Sequence, residues 1–171
     1  MMSFIVGAIT TCIMTLGYGG MIGGHLHSGV DYFCGYLTPV YSPYNGFVVF
    51  RDDSEGSIAI VVESPSPRLF VVAHMASTIS LVGGAVKAGD ILGLEGYSGE
   101  VYFNGARENS RAASHRHYSV YPLAEDTAVN PKEFYVTFGD DWYRSERGNY
   151  FRILNPNNEY GGACDPVECL E

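Results

Sequence analysis

Two histidines stand one residue apart in His115-Arg116-His117, inside the run Ser114 to Tyr121, which otherwise reads as a strand. In an extended chain residues i and i+2 point to the same face. His115 and His117 therefore look into one cleft, and Arg116 looks away. Two imidazoles on one strand face make half of a metal site in a β-protein, so the feature demands a sheet on which other ligands can arrive.

The rest of the chain suits a sheet. At 171 residues it is long enough for one domain with its own core plus an appendage. Glycine (21), proline (8) and tyrosine (13) are plentiful, and charged residues make up only 17%. That composition predicts a mainly β architecture: an antiparallel, barrel-like β-sheet domain whose long loops form a groove. The net charge of −9 argues against nucleic acid and against anionic membrane surfaces, both of which reward clustered Lys and Arg. Phe4 to Met14 has the length of a signal-peptide apolar region. It lacks a preceding Lys or Arg and a clean small-residue cleavage site, so it reads as a strand, with a secretory signal the weaker alternative. No apolar stretch approaches the roughly 20 residues of a membrane span.

Along the chain, Ser3 to Leu16 predicts a strand that runs into the glycine-rich loop Gly17-Tyr18-Gly19-Gly20 and Gly23-Gly24, which delivers His25 and His27. Turn residues then delimit a meander of three strands, Gly46 to Phe50, Ser57 to Glu63 and Arg68 to His74. Ile91 to Leu94 is a further strand. Gly96 to Ser114 shows no periodicity and reads as a loop over the cleft. His115 to Tyr121 is the metal-site strand, ended by Pro122. Asn130 to Phe134 reads as a helix start or short edge element that closes a domain of residues 1–138. Residues 139–171 read as a C-terminal extension on or near it, docked by Trp142, Tyr143, Tyr150 and Phe151.

Four cysteines are no dense framework. A Cys164–Cys169 bridge and free thiols are both open, and the lack of a second tight pair argues against a four-cysteine zinc site. Asp52, Asp53 and Glu55 fall in a hairpin turn and read as a solvated acidic tip. Arg107 and Arg111, in the long loop, read as solvated, with a substrate carboxylate the alternative.

Any one of the five histidines could be an ordinary satisfied polar residue. Their placement argues for a shared site. His27 and Asp31 lie four residues apart across Gly29, a spacing that lets both reach one ion; His115 and His117 share a strand face; His74 ends a strand of the same predicted sheet. Zinc favours imidazole and carboxylate ligands at about 2.0–2.2 Å, and catalytic sites keep three protein ligands and one open position.

The order His27-x-Gly29-x-Asp31, Ala73-His74-Met75, Gly89-Asp90-Ile91-Leu92-Gly93 with Gly96-Tyr97-Ser98-Gly99, then His115-x-His117, resembles the lysostaphin/LytM-type zinc metallopeptidases that cut peptidoglycan cross-links. The resemblance runs from about Gly17 to Phe134. It implies that His27, Asp31 and His117 bind one zinc ion, and that His74 and His115 stand at the open position, orienting water and handling protons. His25 matches no motif position and is assigned to the loop rather than to the ion. Arg116 replaces the family's usual apolar residue, and the loop before His115 is longer than usual, which bears on bond specificity. The resemblance implies a zinc endopeptidase acting on bacterial cell-wall peptidoglycan, outside the cell or in the wall or periplasm. The alternatives are a non-catalytic module of the same fold, as in a phage tail, and a zinc peptidase of other peptides. With −9 charge facing anionic walls and no separate wall-binding domain, the chain reads as tethered, for example to a phage virion through residues 139–171.

Overall fold

In the computed structural model the described residues are 12–62, 68–79, 82–125, 142–144, 150–153 and 165–166. The chain begins with β1 (Ile13–Leu16), a small hairpin of β2 (Met21–Ile22) and β3 (His25–Leu26), then β4 (Val30–Phe33) and β5 (Pro39–Tyr41). The meander follows as β6 (Gly46–Asp52), β7 (Ser57–Val62) and β8 (Arg68–Ala73), and then come β9 (Met75–Thr78), β10 (Ala85–Val86) and β11 (Ile91–Glu95). A second small hairpin, β12 (Tyr102–Phe103) and β13 (Ala106–Arg107), precedes the long β14 (Arg116–Glu125), with β15 (Trp142–Arg144) and β16 (Tyr150–Ile153) last.

The main sheet is antiparallel, with strand order β1-β4-β14-β8-β7-β6-β10 and β16 pairing the far end of β14. Between the described strands it stays open, so it is a sheet and not the closed barrel that a barrel-like reading suggests. A second sheet, β5-β11-β9, lies against it. The core fills the space between them: Val48, Ile58, Ile60, Phe70, Val72 and Val120 come from the main sheet, and Val40, Met75 and Leu92 from the second. Alternation explains the choice, since Ile58 and Ile60, like Phe70 and Val72, are two residues apart on one face.

Four expectations change. First, β14 does not stop at Pro122 but continues to Glu125. Pro122 stands on the last rung with β8, opposite Arg68, where a missing N–H interrupts the ladder least, and β16 takes over at Leu123. Second, the segment before His115 is not all loop: Asn104-Gly105, with φ of 51° and 78°, closes the β12–β13 hairpin, and Arg111–Ala113 form one 3-10 turn. Third, Cys12 and Cys34 form a disulfide, tying β1 to the end of β4. Fourth, the acidic tip keeps the Asp53 and Glu55 side chains exposed, as read, but it also docks through its backbone, the His74 N–H donating to the Glu55 carbonyl at 3.0 Å. Of the remaining expectations, Ser3 to Thr11, the 130–134 element and both late cysteines lie outside the described residues.

Candidate metal centre

The register of three strands builds the site. On β14, Arg116, His117 and Tyr118 pair with Tyr32, Asp31 and Val30 of β4, while on the other edge His117 pairs with Ala73 of β8. Cross-strand partners present their side chains on one face, so Asp31 and His117 are neighbours and His74 follows directly. His27 arrives from outside the sheet. Its backbone is held by two bonds to the glycine loop, N–H to the Gly20 carbonyl and carbonyl from the Gly19 N–H, each 2.8 Å. Gly29 makes the return to β4 possible, since a Cβ there would lie 2.1 Å from the Tyr118 carbonyl oxygen.

Three donor atoms converge. His27 Nε2 lies 3.1 Å from Asp31 Oδ1 and 2.9 Å from His117 Nδ1, and His117 Nδ1 lies 2.8 Å from Asp31 Oδ1. A tetrahedral ion bonded at about 2.0–2.2 Å separates its ligands by roughly 3.3–3.6 Å; this triangle, with sides of 2.8–3.1 Å, is a few tenths of an ångström tighter and offers two nitrogens and one oxygen, a donor set that suits zinc. His27, Asp31 and His117 are thus a group that could hold a metal.

The outer contacts fix the tautomers. A carbonyl oxygen only accepts, so His27 donates through Nδ1 to Gly17 (3.0 Å), His74 through Nδ1 to Ser98 (2.8 Å) and His115 through Nδ1 to Ala113 (2.7 Å). Each neutral ring then keeps an Nε2 lone pair. His117 is turned the other way, with Nε2 on the Ser119 hydroxyl at 2.6 Å and Nδ1 in the triangle. His74 and His115 stack obliquely, their ring centres 4.7 Å apart, and His115 Nε2 lies 3.6 Å from Asp31 Oδ2.

Charge follows this geometry. Burial alone would raise the Asp31 carboxyl, but hydrogen bonds to His117 and His27 and the nearby imidazoles outweigh it and hold the group well below the usual carboxylate range. Burial pulls His27 down, and the hydrogen bond and charge of Asp31 more than restore it, leaving it raised. His117 is lowered, chiefly by burial. Burial, with repulsion from His115 and His117, pushes His74 down to about 4.

All five histidines and Asp31 line one cleft of about 220 Å³, with Ile22 from the β2–β3 hairpin and Glu100, Val101 and Tyr102 from the loop before β14. His25 is exposed on its hairpin. Arg107 approaches Glu100 at 4.0 Å, and Arg111 lies over the Tyr36 ring at 4.7 Å. The model of peptidase family M23 matches residues 25–131, which contain this whole constellation.

The chain belongs to peptidase family M23.

Solved structures agree on the fold. The catalytic domain of the antimicrobial peptidase lysostaphin from Staphylococcus simulans superposes with a TM-score of 0.61 at 20% identity, covering 98% of each chain. A mutant catalytic domain of the prophage-encoded M23 protein EnpA from Enterococcus faecalis gives 0.52 at 25% identity, over 75% of this chain and 92% of that one. A zinc-containing peptidase from Vibrio cholerae gives 0.51 at 23% identity, over 64% and 33%. Among curated proteins none matches in sequence.

Around this M23 site two partners escape a reading of motifs alone. Ser119, buried beneath His117, looks like any strand serine. Glu95 ends the otherwise apolar strand Ile91-Leu92-Gly93-Leu94 and is fully buried. A charged residue in that apolar run is the signal that marks it.

Proposed function

We propose that the protein is a zinc-dependent endopeptidase that hydrolyses peptide bonds in bacterial peptidoglycan, acting outside the cell or in the wall. His27 Nε2, Asp31 Oδ1 and His117 Nδ1 hold the ion, and His74 and His115 move protons. The observation that carries this reading is the convergence of those three donor atoms beside two further imidazoles whose Nδ1 atoms are engaged by carbonyl groups. The structures the chain resembles, an antimicrobial peptidase and a zinc-containing peptidase, support the same class.

A bound zinc ion would supply Lewis-acid polarisation of the scissile carbonyl and a more acidic water. The chain's own groups do the rest. The Gly17 carbonyl and the Ser119 hydroxyl orient the His27 and His117 rings. His115 presents Nε2 as a proton acceptor. Once protonated, that Nε2–H finds Asp31 Oδ2 at 3.6 Å, and returning the proton to the departing amine completes the cycle. His74 offers a second Nε2 beside it, its ring centre 4.7 Å from that of His115.

The same reading makes residues 1–138 the peptidase domain and residues 139–171 a tethering extension. The prophage origin of EnpA supports a phage virion as the setting. The test is to measure zinc stoichiometry and the turbidity of purified walls. Wild type should bind one ion and clear the suspension, chelation should stop it, and zinc should restore it. A zinc-free wild type that leaves walls intact rejects the assignment.

A further inference from the structure

Arg116 lies between the two histidines of β14, yet its side chain is buried on the far side of the strand from the cleft. Its Nε donates to Glu95 Oε2 at 2.9 Å and its Nη2 donates to Thr38 Oγ1 at 2.9 Å. Glu95 has no exposed surface. Its carboxylate also accepts the backbone N–H groups of Cys34 (3.0 Å) and Gly35 (2.9 Å), with the Ser114 hydroxyl at 3.4 Å. An ionised carboxylate this deep persists only with a guanidinium and several donors around it.

The partners are not scattered. Cys34 and Gly35 follow β4, three and four residues beyond Asp31; Ser114 and Arg116 flank His115. The backbone N–H of His115 donates to the carbonyl of Gly96, next to Glu95, at 3.0 Å. One carboxylate thus ties β11 to both strands that carry the site. The tie falls where the sheet needs it, because the β4–β14 ladder has three rungs and Arg116 stands on the first. A slip of one residue there would turn Asp31 or His117 to the wrong face.

We propose that Glu95 and Arg116 are positioning residues, a buried ion pair that pins β4 against β14 so that Asp31, His115 and His117 keep their spacing. Neither side chain lines the cleft, so they act through the residues that do. The inference rests on the metal-centre reading of those residues.

Arg116→Lys keeps the charge but not the fork that reaches Glu95 and Thr38 together. The variant should fold, with an unfolding midpoint close to that of wild type, yet bind zinc about tenfold more weakly, as loss of outer support does. Its Co²⁺ absorption spectrum should shift, and its turnover should fall while KM holds. Arg116→Leu strands the carboxylate, and adding Glu95→Leu should recover part of the lost stability, because the two act as a unit. A folded Arg116→Lys protein with wild-type zinc affinity and cobalt spectrum overturns the proposal, as do additive losses in the double variant. If the wild type takes up no zinc, the metal-centre reading fails on its own. The imidazole nitrogen NMR signals of the metal-free proteins then carry the comparison: unchanged signals in Arg116→Lys overturn the positioning role, and displaced signals support it.

Discussion

His117 and Asp31 occupy one rung of the β4–β14 ladder, and their side chains meet at 2.8 Å between Nδ1 and Oδ1. The rung continues to Ala73 on β8, so the residue that follows, His74, is delivered to the same cleft. Three strands remote in sequence therefore need only one correct register to assemble most of the site. His27 is the exception, since a loop tethered at Gly17, Gly19 and Gly20 carries it.

Separating the two histidines of β14 is the most direct trial of their roles. His117→Ala removes a donor of the triangle, and its zinc affinity should fall by more than the roughly 10–100-fold cost of losing an outer partner. His115→Ala leaves the triangle whole; it should retain zinc and lose about 10²–10⁴-fold in activity, the range for removing a general acid–base group. Metal content by mass spectrometry beside wall lysis measures both. Equal zinc loss in the two variants would contradict the division.

Ser119 offers a quieter perturbation. Its hydroxyl is the partner of His117 Nε2 at 2.6 Å, in a buried setting that offers no easy water replacement. Ser119→Ala should weaken zinc binding by about 10–100-fold, and Ser119→Thr, which keeps the hydroxyl, should recover most of it. Competition with a chromophoric chelator gives the constants, and an unchanged affinity in the alanine variant counts against the outer role.

Much of this was legible because period two is a strong rule. It puts His115 and His117 on one side and Arg116 on the other, and turn residues mark the meander to within two residues at each end. What stayed hidden depends on distant pairing. Cys12 and Cys34 are 22 residues apart, and only the pairing of Ile13 with Phe33 makes them neighbours. Arg116 finds Glu95 on another sheet, which no local pattern announces. The β12–β13 hairpin is a different case: Asn104-Gly105 is a strong two-residue hairpin signal, but its strands are two residues each, too short to show an alternating pattern.

The disulfide should be worth a measurable share of the fold. Closing a loop of 22 residues stabilises by about 3 kcal/mol in the chain-entropy account. Beyond its ladder with β4, β1 buries little apolar surface, with Ile13 65% and Met14 56% exposed. Cys12→Ser with Cys34→Ser should therefore lower urea-unfolding stability by about that amount, and a reducing agent should do the same to the wild type. A wild type indifferent to reduction would show that the bridge does not form in solution.

Gly56 gives the test that reaches furthest from the cleft. His74 has φ of 65°, a left-handed backbone uncommon outside glycine. It is held there by its N–H bond to the Glu55 carbonyl and by the neighbouring Met75 N–H on the Gly56 carbonyl, each 3.0 Å. Gly56 itself has φ of 60°, and a Cβ on it would lie 2.0 Å from the Met75 carbonyl oxygen. Gly56→Ala must therefore strain its own backbone, at roughly 1–3 kcal/mol, and push the turn off the segment that carries His74. The three donor atoms of the triangle lie on β4, β14 and the glycine-rich loop, so zinc uptake should survive while wall lysis drops sharply. Asp53→Asn, on the same turn but exposed, should leave lysis unchanged. Folded Gly56→Ala protein with full lytic activity would mean that the turn does not hold His74, and zinc loss in parallel with activity would mean that the damage spreads to the triangle itself.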